Sequence, residues 1–292
     1  MRRGPRIVRG TRLDESTAVP VVIVEPPKKW APLNLGDVWA HRELFWTLAM
    51  RDLKVRYKQT ELGAAWAIIQ PLFNMVIFTL VFGKLAGFSA DTGGIPYPIF
   101  TYVALLPWTY FANTIGKAGN SLVDSAQLVT KVYFPRVLLP LSTSVSGLVD
   151  LAIAFVVLVG MMLFYQIGLT WAALALPLFV LLATVSALGV GLWLAALNVE
   201  YRDIRYVIPF LTQIWMYATP VAYPISVIPT KWLWLYELNP MVGVVEGFRW
   251  ALLGNSQFPA RALAVSTVFV SVVLVTGLFY FRRMERTFAD VV

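Results

Sequence analysis

The chain has 292 residues, of which 58% are hydrophobic and only 14% charged, with a mean hydropathy of +0.68. A soluble domain carries about 25% charged residues; here there is too little polar surface to coat a water-soluble globule, so the bilayer is the expected solvent for most of the chain. The absence of cysteine excludes disulfides and thiolate metal sites, and a single histidine, His41, excludes histidine-rich metal centres.

Residues 1–35 read as a poorly ordered, Pro- and Arg-rich cytoplasmic tail. They do not read as a signal peptide, because the apolar run Val19 to Val24 is short and is closed by Glu25, Pro26 and Pro27. Residues 36–60 follow as an amphipathic interface helix. Glu43, Thr47, Arg51, Lys54 and Lys58 are spaced to form one polar, mostly basic stripe, while Trp39, Leu44, Phe45, Leu48, Ala49 and Leu53 cover much of the rest. Such a helix lies in the headgroup plane. It serves either as an anchor for the first span or as a surface for a lipid phosphate or a partner subunit. Asp52 and Arg56 lie off the stripe, and an anchor alone does not explain them.

Uncharged runs place the spans within residues 61–292. There are 22 such residues between Glu61 and Lys84, 25 between Asp91 and Lys117, 49 between Asp150 and Glu200, 25 between Arg205 and Lys231, and 20 between Arg261 and Arg282. A span needs about 20 residues, and the 49-residue run holds two helices around a turn at Tyr165 to Trp171. The third span starts before Asp150, near Leu138. Six transmembrane helices follow, at about 63–83, 98–116, 138–164, 172–197, 206–222 and 262–281, and the fold class is all-α integral membrane. Of the 24 lysines and arginines, 20 fall on one side of this topology. The positive-inside rule then puts both termini in the cytoplasm. The net charge of +8 is thereby explained by topology and anionic lipid, without nucleic acid.

Two connections are more than turns. In the cytoplasmic loop 117–136, Ser121 to Val132 can form about three helical turns before Phe134 and Pro135 end them; this is either a coupling helix that docks a soluble partner or a plain connector. The external segment 223–260 is broken by Pro224, Pro229 and Pro240, yet it is rich in aromatic and branched residues. It reads as a re-entrant hairpin at about 223–255, running in over 225–236, turning at Asn239 and Pro240, and returning over 241–253, or as a flat cap on the outer leaflet. Irregular backbone at membrane depth is tolerated against protein or a water-filled cavity, so the hairpin reading implies a pathway.

The chain has no G-x-x-x-x-G-K-[ST] run, no H-E-x-x-H and no G-x-S-x-G. Any ATP-driven step therefore needs another chain, and no catalytic or metal site is expected in this one. Asp150, inside the third span, must face the bundle or water, with a structural pairing role ahead of proton coupling. Glu246 and Arg249 are spaced to pair, and Glu237 has no obvious partner. Trp66, Trp171 and Tyr280 suit interfacial belts. Tyr97, Tyr102, Trp108, Tyr110 and Phe111 crowd the second span, and Trp215, Tyr217 and Tyr223 the fifth. These rings either pack helices and belts or line a path for a sugar polymer; the expected path residues are Tyr102, Trp108, Tyr110, Phe111, Trp215 and Tyr217.

Four blocks carry a family likeness: RDLKVRYKQTELG from Arg51, KVYFPRVLLPLS from Lys131, NVEYRDIRYVIPFLTQIWMYATPVAYP from Asn198, and LNPMVGVVEGFRWALLG from Leu238. In this order they resemble the ABC-2-type permeases of polysaccharide exporters, over about residues 36–288. The resemblance implies a homodimer working with two copies of a separate ATP-binding cassette ATPase, which binds ATP and magnesium, this chain holding no cofactor. The cargo it implies is a lipid-linked glycan (O-antigen, capsule-like glycan or teichoic acid) crossing the plasma membrane. It also implies that Asp52, Tyr57, Lys131, Phe134 and Arg136 couple to the ATPase, and it favours the re-entrant reading. Arg51, Lys54 and Arg56 are then candidates for the lipid phosphate. The alternatives are a drug or small-lipid exporter of the same superfamily, or a membrane enzyme acting on lipid-linked sugars with His41 and Asp150 as its catalysts.

Overall fold

The computed structural model describes residues 35–58, 63–254, 257–285 and 288; residues 1–34, nearly all of the expected tail, lie outside them. The regular elements described are all helical. They are α1 (Leu35–Ala40), α2 (Arg42–Lys58), α3 (Gly63–Phe78), α4 (Tyr97–Asp124), α5 (Ala126–Lys131), α6 (Leu138–Phe164), α7 (Leu176–Glu200), α8 (Ile204–Tyr217), α9 (Thr230–Glu237), α10 (Pro240–Leu253) and α11 (Ala260–Met284). Wider π-helical turns extend α3 over Thr79–Leu85. Proline opens several helices where a missing N–H costs nothing, at Pro98 in α4, Pro177 in α7 and Pro240 in α10. Gly254, at φ +67°, closes α10 in the left-handed conformation that glycine adopts without a Cβ penalty.

Among the described residues, four segments are long and apolar enough to cross a membrane: Ala65–Leu85, Leu138–Phe164, Trp171–Glu200 and Ala260–Met284. They fall on the first, third, fourth and sixth expected spans. The second expected span lies within α4, which has 28 residues. This helix is the centre of the bundle and packs on α3, α6, α7, α8 and α10. A helix enclosed by others has no need to be apolar all round, and α4 carries Thr101, Thr114, Lys117 and Asn120 among its large apolar side chains. The fifth expected span begins in α8, whose 14 residues reach about 21 Å; the chain then turns at Ala218.

Small residues let these helices approach. A Cβ on Gly191 of α7 would stand 2.7 Å from the Cβ of Ala118 in α4, and one on Gly277 of α11 would stand 2.8 Å from the carbonyl oxygen of Gly189 in α7. Asn198 of α7 donates to the Gly119 carbonyl at 3.0 Å and to Asn120 Oδ1 at 2.9 Å, a polar tie of the kind that holds helices in lipid. The core falls into two clusters. The larger surrounds α4, with Tyr102, Phe111, Phe179 and Phe248 at its centre. The smaller gathers Leu48, Phe134, Leu138, Leu192, Phe281 and Phe288, where α2, the start of α6 and the ends of α7 and α11 meet.

One local expectation is corrected. The three-turn helix expected from Ser121 to Val132 is divided: α4 runs on to Asp124, Ser125 leaves helical geometry, and α5 is only six residues long. The interface helix, expected as an anchor for the first span or as a partner surface, also packs on the bundle. Its polar stripe is exposed as expected, but its other side packs along the first half of α6, with Leu48 and Ala49 buried.

Candidate functional site

The packed face of α2 recurs in adjacent pairs every four residues, from Leu44 and Phe45 through Leu48 and Ala49, then Asp52 and Leu53, to Arg56 and Tyr57. Its first half is apolar and its last turns are not. The polar end meets Asp150, 12 residues into α6. Arg56 Nη2 stands 2.9 Å from Asp150 Oδ2, and the Tyr57 hydroxyl donates to Asp150 Oδ1 at 2.6 Å. Lys117 of α4 donates to Ser146 Oγ, one helical turn before Asp150, at 2.8 Å, and lies within electrostatic reach of Arg56, Asp150 and Asp52. Two cations and two carboxylates from three helices thus share one partly buried junction. Burial, and then the hydrogen bond to Asp150, push the Tyr57 phenol far above its ordinary range, so it remains a donor.

This arrangement explains why Asp52 and Arg56 lie off the exposed stripe, and it gives Asp150 the pairing role expected of it. Of the three lipid-phosphate candidates, Lys54 is exposed, Arg51 is exposed beside Asp52 at 3.0 Å, and Arg56 is engaged with Asp150. Lys117 was not a candidate from the sequence. A lysine closing an apolar run reads as an ordinary loop boundary, and only the proximity of α2 and α6 gives it a role. His41, by contrast, sits at the far end of α2 against the Asp37 carbonyl at 2.8 Å, a helix length of about 22 Å from the residues that hold Asp150.

The second group lies between α5 and α6. Lys131 and Val132 are exposed, and Tyr133 is 82% exposed, although it is large and aromatic. Phe134 turns inward and is buried in the smaller core cluster. The Arg136 backbone N–H donates to Glu285 Oε1 at 3.1 Å, and its guanidinium donates to the Glu285 carbonyl and stands over the Phe288 ring. The exposed end of the loop is therefore tied through Phe134 and Arg136 to the end of α11.

Four of the six expected path residues, Tyr102, Trp108, Tyr110 and Phe111, are buried within the bundle. The two tyrosine hydroxyls are satisfied locally: Tyr102 donates to the Ala154 carbonyl at 3.2 Å, and Tyr110 pairs with Thr184 at 2.8 Å. Trp215 is half-buried against Phe111, edge to face at 5.1 Å between centroids. Tyr217 is 52% exposed, on a helix that turns Tyr206, Phe210 and Ile214 outward and buries only Ile208.

At the opposite end, Asn239 joins α8 to α9 and α10. Its Oδ1 accepts from Trp215 Nε1 at 2.9 Å and from the Met241 N–H at 3.0 Å; its Nδ2 donates to Thr219 Oγ1 at 2.8 Å and to the Ala218 carbonyl at 3.2 Å. The sequence marks this asparagine as a turn residue, and the four bonds follow from its placement over the end of α8. Glu246 and Arg249 pair at 2.7 Å as their spacing predicts, and Glu237 finds Arg261 at 2.9 Å.

Against known proteins, the family model described as ABC-2 type transporter matches residues 43–253. The chain is 31% identical over 254 residues to the O-antigen export system permease protein RfbA of Myxococcus xanthus, covering 85% of this chain and 96% of that protein. It is 24% identical to the polysialic acid transport protein KpsM of Escherichia coli, over 82% of this chain and 92% of that one. With the inner membrane transport permease YadH of Escherichia coli K12 it shares 26% identity, over 73% and 84% of the two chains.

Proposed function

The chain belongs to the ABC-2 type transporter family, and from that membership we propose that it is the membrane subunit of an ATP-driven exporter moving lipid-linked polysaccharide, of the O-antigen, capsule or teichoic acid kind, across the plasma membrane. The observation that carries this reading is the near end-to-end likeness to the O-antigen export permease. The sequence carries no P-loop, so a separate ATP-binding cassette chain, binding ATP and magnesium, supplies the energy.

In this reading the bundle crosses the bilayer six times, with both termini and the basic side in the cytoplasm. α9 and α10 form a re-entrant hairpin on the outer side. The outward apolar and tyrosine face of α8, with exposed Gln213 among it, supports a second copy of the chain beside it, since a glutamine facing lipid is costly. Lys131 and Tyr133 meet the ATPase. Phe134 and Arg136 pass its movement to α11, while Arg56, Tyr57 and Asp150 pass movement of α2 to α6. Arg51 and Lys54, on the exposed stripe, receive the lipid phosphate. The glycan then passes between the two copies along α8, where Tyr217 and Trp215 are the aromatics nearest such a path; the α4 rings support it from behind.

Reconstitution with the cognate ATPase in liposomes tests this reading. Glycan movement that requires both ATP and the ATPase is the expected result, and ATP hydrolysis with no glycan movement overturns it. The likeness to YadH, whose name specifies no glycan, favours a second reading, export of a small lipid or drug. Transport of a fluorescent phospholipid but not of glycan by the same vesicles would select it.

A further inference from the structure

At the end of the bundle near Asn239, a cleft of about 210 Å³ opens between the loop that precedes α4, the first turn of α4, the short turn Ile225–Val227 and α10. That volume holds about seven waters at ~30 Å³ each and falls below the roughly 300–1,000 Å³ of pockets for drug-sized ligands. It suits one pyranose ring with its hydroxyls. The lining is mixed. Asp91, Ser226, Glu246 and Arg249 supply polar groups, and Phe100 and Pro224 supply apolar wall.

The polar floor is built from enclosed groups. Arg249 is buried; its Nη1 bonds Glu246 Oε1 at 2.7 Å, its Nη2 bonds the Val221 carbonyl at 3.0 Å, and its guanidinium carbon lies 3.7 Å from the centroid of the Phe100 ring. The Arg249 Nε–H is buried and finds no acceptor among the described residues. Holding an ion pair indoors costs desolvation, and a brace for the turn alone would be served by an uncharged pair. Carboxylates and an apolar wall around a small cleft suit a polyhydroxylated ligand: the carboxylates accept from hydroxyls and the apolar wall takes the C–H side, while the Arg249 guanidinium, stacked on Phe100, holds Glu246 in place.

We propose that this cleft is a subsite for one neutral sugar unit of the exported glycan. Glu246 and Asp91 accept from its hydroxyls, and Pro224 and the Phe100 side chain meet its apolar side. Two carboxylates against one guanidinium disfavour an acidic sugar. The proposal rests on the glycan-export reading, and its test is separable from it.

The chain has no cysteine, so Ser226→Cys at the exposed rim introduces its sole thiol. Lys231→Cys, exposed on α9 and outside the cleft, is the control. Each variant, assembled with its ATPase in lipid nanodiscs, is labelled with a water-soluble maleimide in the presence of the methyl glycosides of glucose, galactose, mannose and N-acetylglucosamine. At about twice a millimolar Kd, one of these sugars is expected to slow labelling at position 226 about threefold and leave position 231 unchanged. Adding Asp91→Asn should weaken that protection several-fold. No protection by any of the four sugars, or equal protection at both positions, overturns the subsite and leaves the ion pair as a structural brace only. Glycan export is measured on the same preparations. Export without protection sinks the subsite alone, and protection without export keeps the site and sinks the export reading.

Discussion

A carboxylate well inside an apolar helix costs about 2.5–3.5 kcal/mol on insertion scales, and Asp150 offsets that cost with one ion pair and one charge-assisted hydrogen bond from α2. Removing one partner of a fully buried pair costs roughly 3–5 kcal/mol. Arg56 keeps 26% of its side chain in contact with solvent, so Asp150→Asn is expected to cost less, about 2–3 kcal/mol. Pairing it with Arg56→Gln should restore about 1–2 kcal/mol, because the second change removes the stranded cation. Thermal unfolding of the purified protein across the double-mutant cycle measures both; strictly additive losses would show that the two residues do not act together. Tyr57→Phe should also destabilise, by about 1–2 kcal/mol. The sign with pH follows from the raised phenol: the hydroxyl's contribution is complete below the ordinary tyrosine range and is lost only as pH rises above it. The difference between Tyr57→Phe and the parent chain should therefore be flat from neutral to mildly alkaline pH.

Between helices, the contacts of single atoms decide the packing. Gly277→Ala drives a methyl against the Gly189 carbonyl and the Trp193 ring, forcing α11 off α7 at a cost of about 1–3 kcal/mol. Gly160→Ala in α6 meets nothing within 4 Å and should stabilise by about 0.5–1 kcal/mol; melting temperatures moving in opposite directions check the pair. Asn239 governs a junction in the same way. Asn239→Asp keeps both acceptor roles and loses both donations, whereas Asn239→Ala loses all four bonds. The alanine variant should lose about 2–4 kcal/mol and the aspartate variant about half of that, with limited proteolysis between α8 and α9 rising in the same order. At this scale the sequence was informative where physics is local. Uncharged runs located the long helices, because a charge in hydrocarbon is costly wherever it falls. The four-residue spacing marked the exposed stripe of α2, and the three-residue spacing marked the Glu246–Arg249 pair. It was uninformative where partners are distant. Tyr57 and Asp150 are 93 positions apart, and no periodicity connects them. The aromatics of α4 look the same in a list whether they line a path or fill a core; their burial follows from α4 being surrounded, which is a property of the other helices.

For the molecule as a whole, the distribution of uncovered surface bears on assembly. α8 packs on α4 and α7 and leaves the rest of its circumference open, with Tyr206, Phe210, Gln213, Ile214 and Tyr217 exposed. α11 also exposes side chains, but its exposed hydroxyls, Thr267, Ser271 and Thr276, each bond a carbonyl of the same helix at 2.7 Å, and apolar neighbours such as Val268 and Val272 suit lipid tails directly. Hydroxyls and an amide within the hydrocarbon favour a protein or water-filled neighbour, so a two-fold copy is expected against α8 and lipid against α11. Two-fold symmetry brings a residue near the axis next to its own counterpart, and the absence of native cysteine makes each introduced thiol diagnostic. Ile214→Cys should form a disulfide-linked dimer under mild oxidation in native membranes, since bridging requires Cα atoms within about 7 Å. Val268→Cys should remain monomeric on the same gel. If the bond at position 214 forms, it should also lock the two copies together and stop glycan movement until reductant is added. Cross-linking at 268 in place of 214 would put α11 at the dimer axis and move the proposed path away from Trp215 and Tyr217.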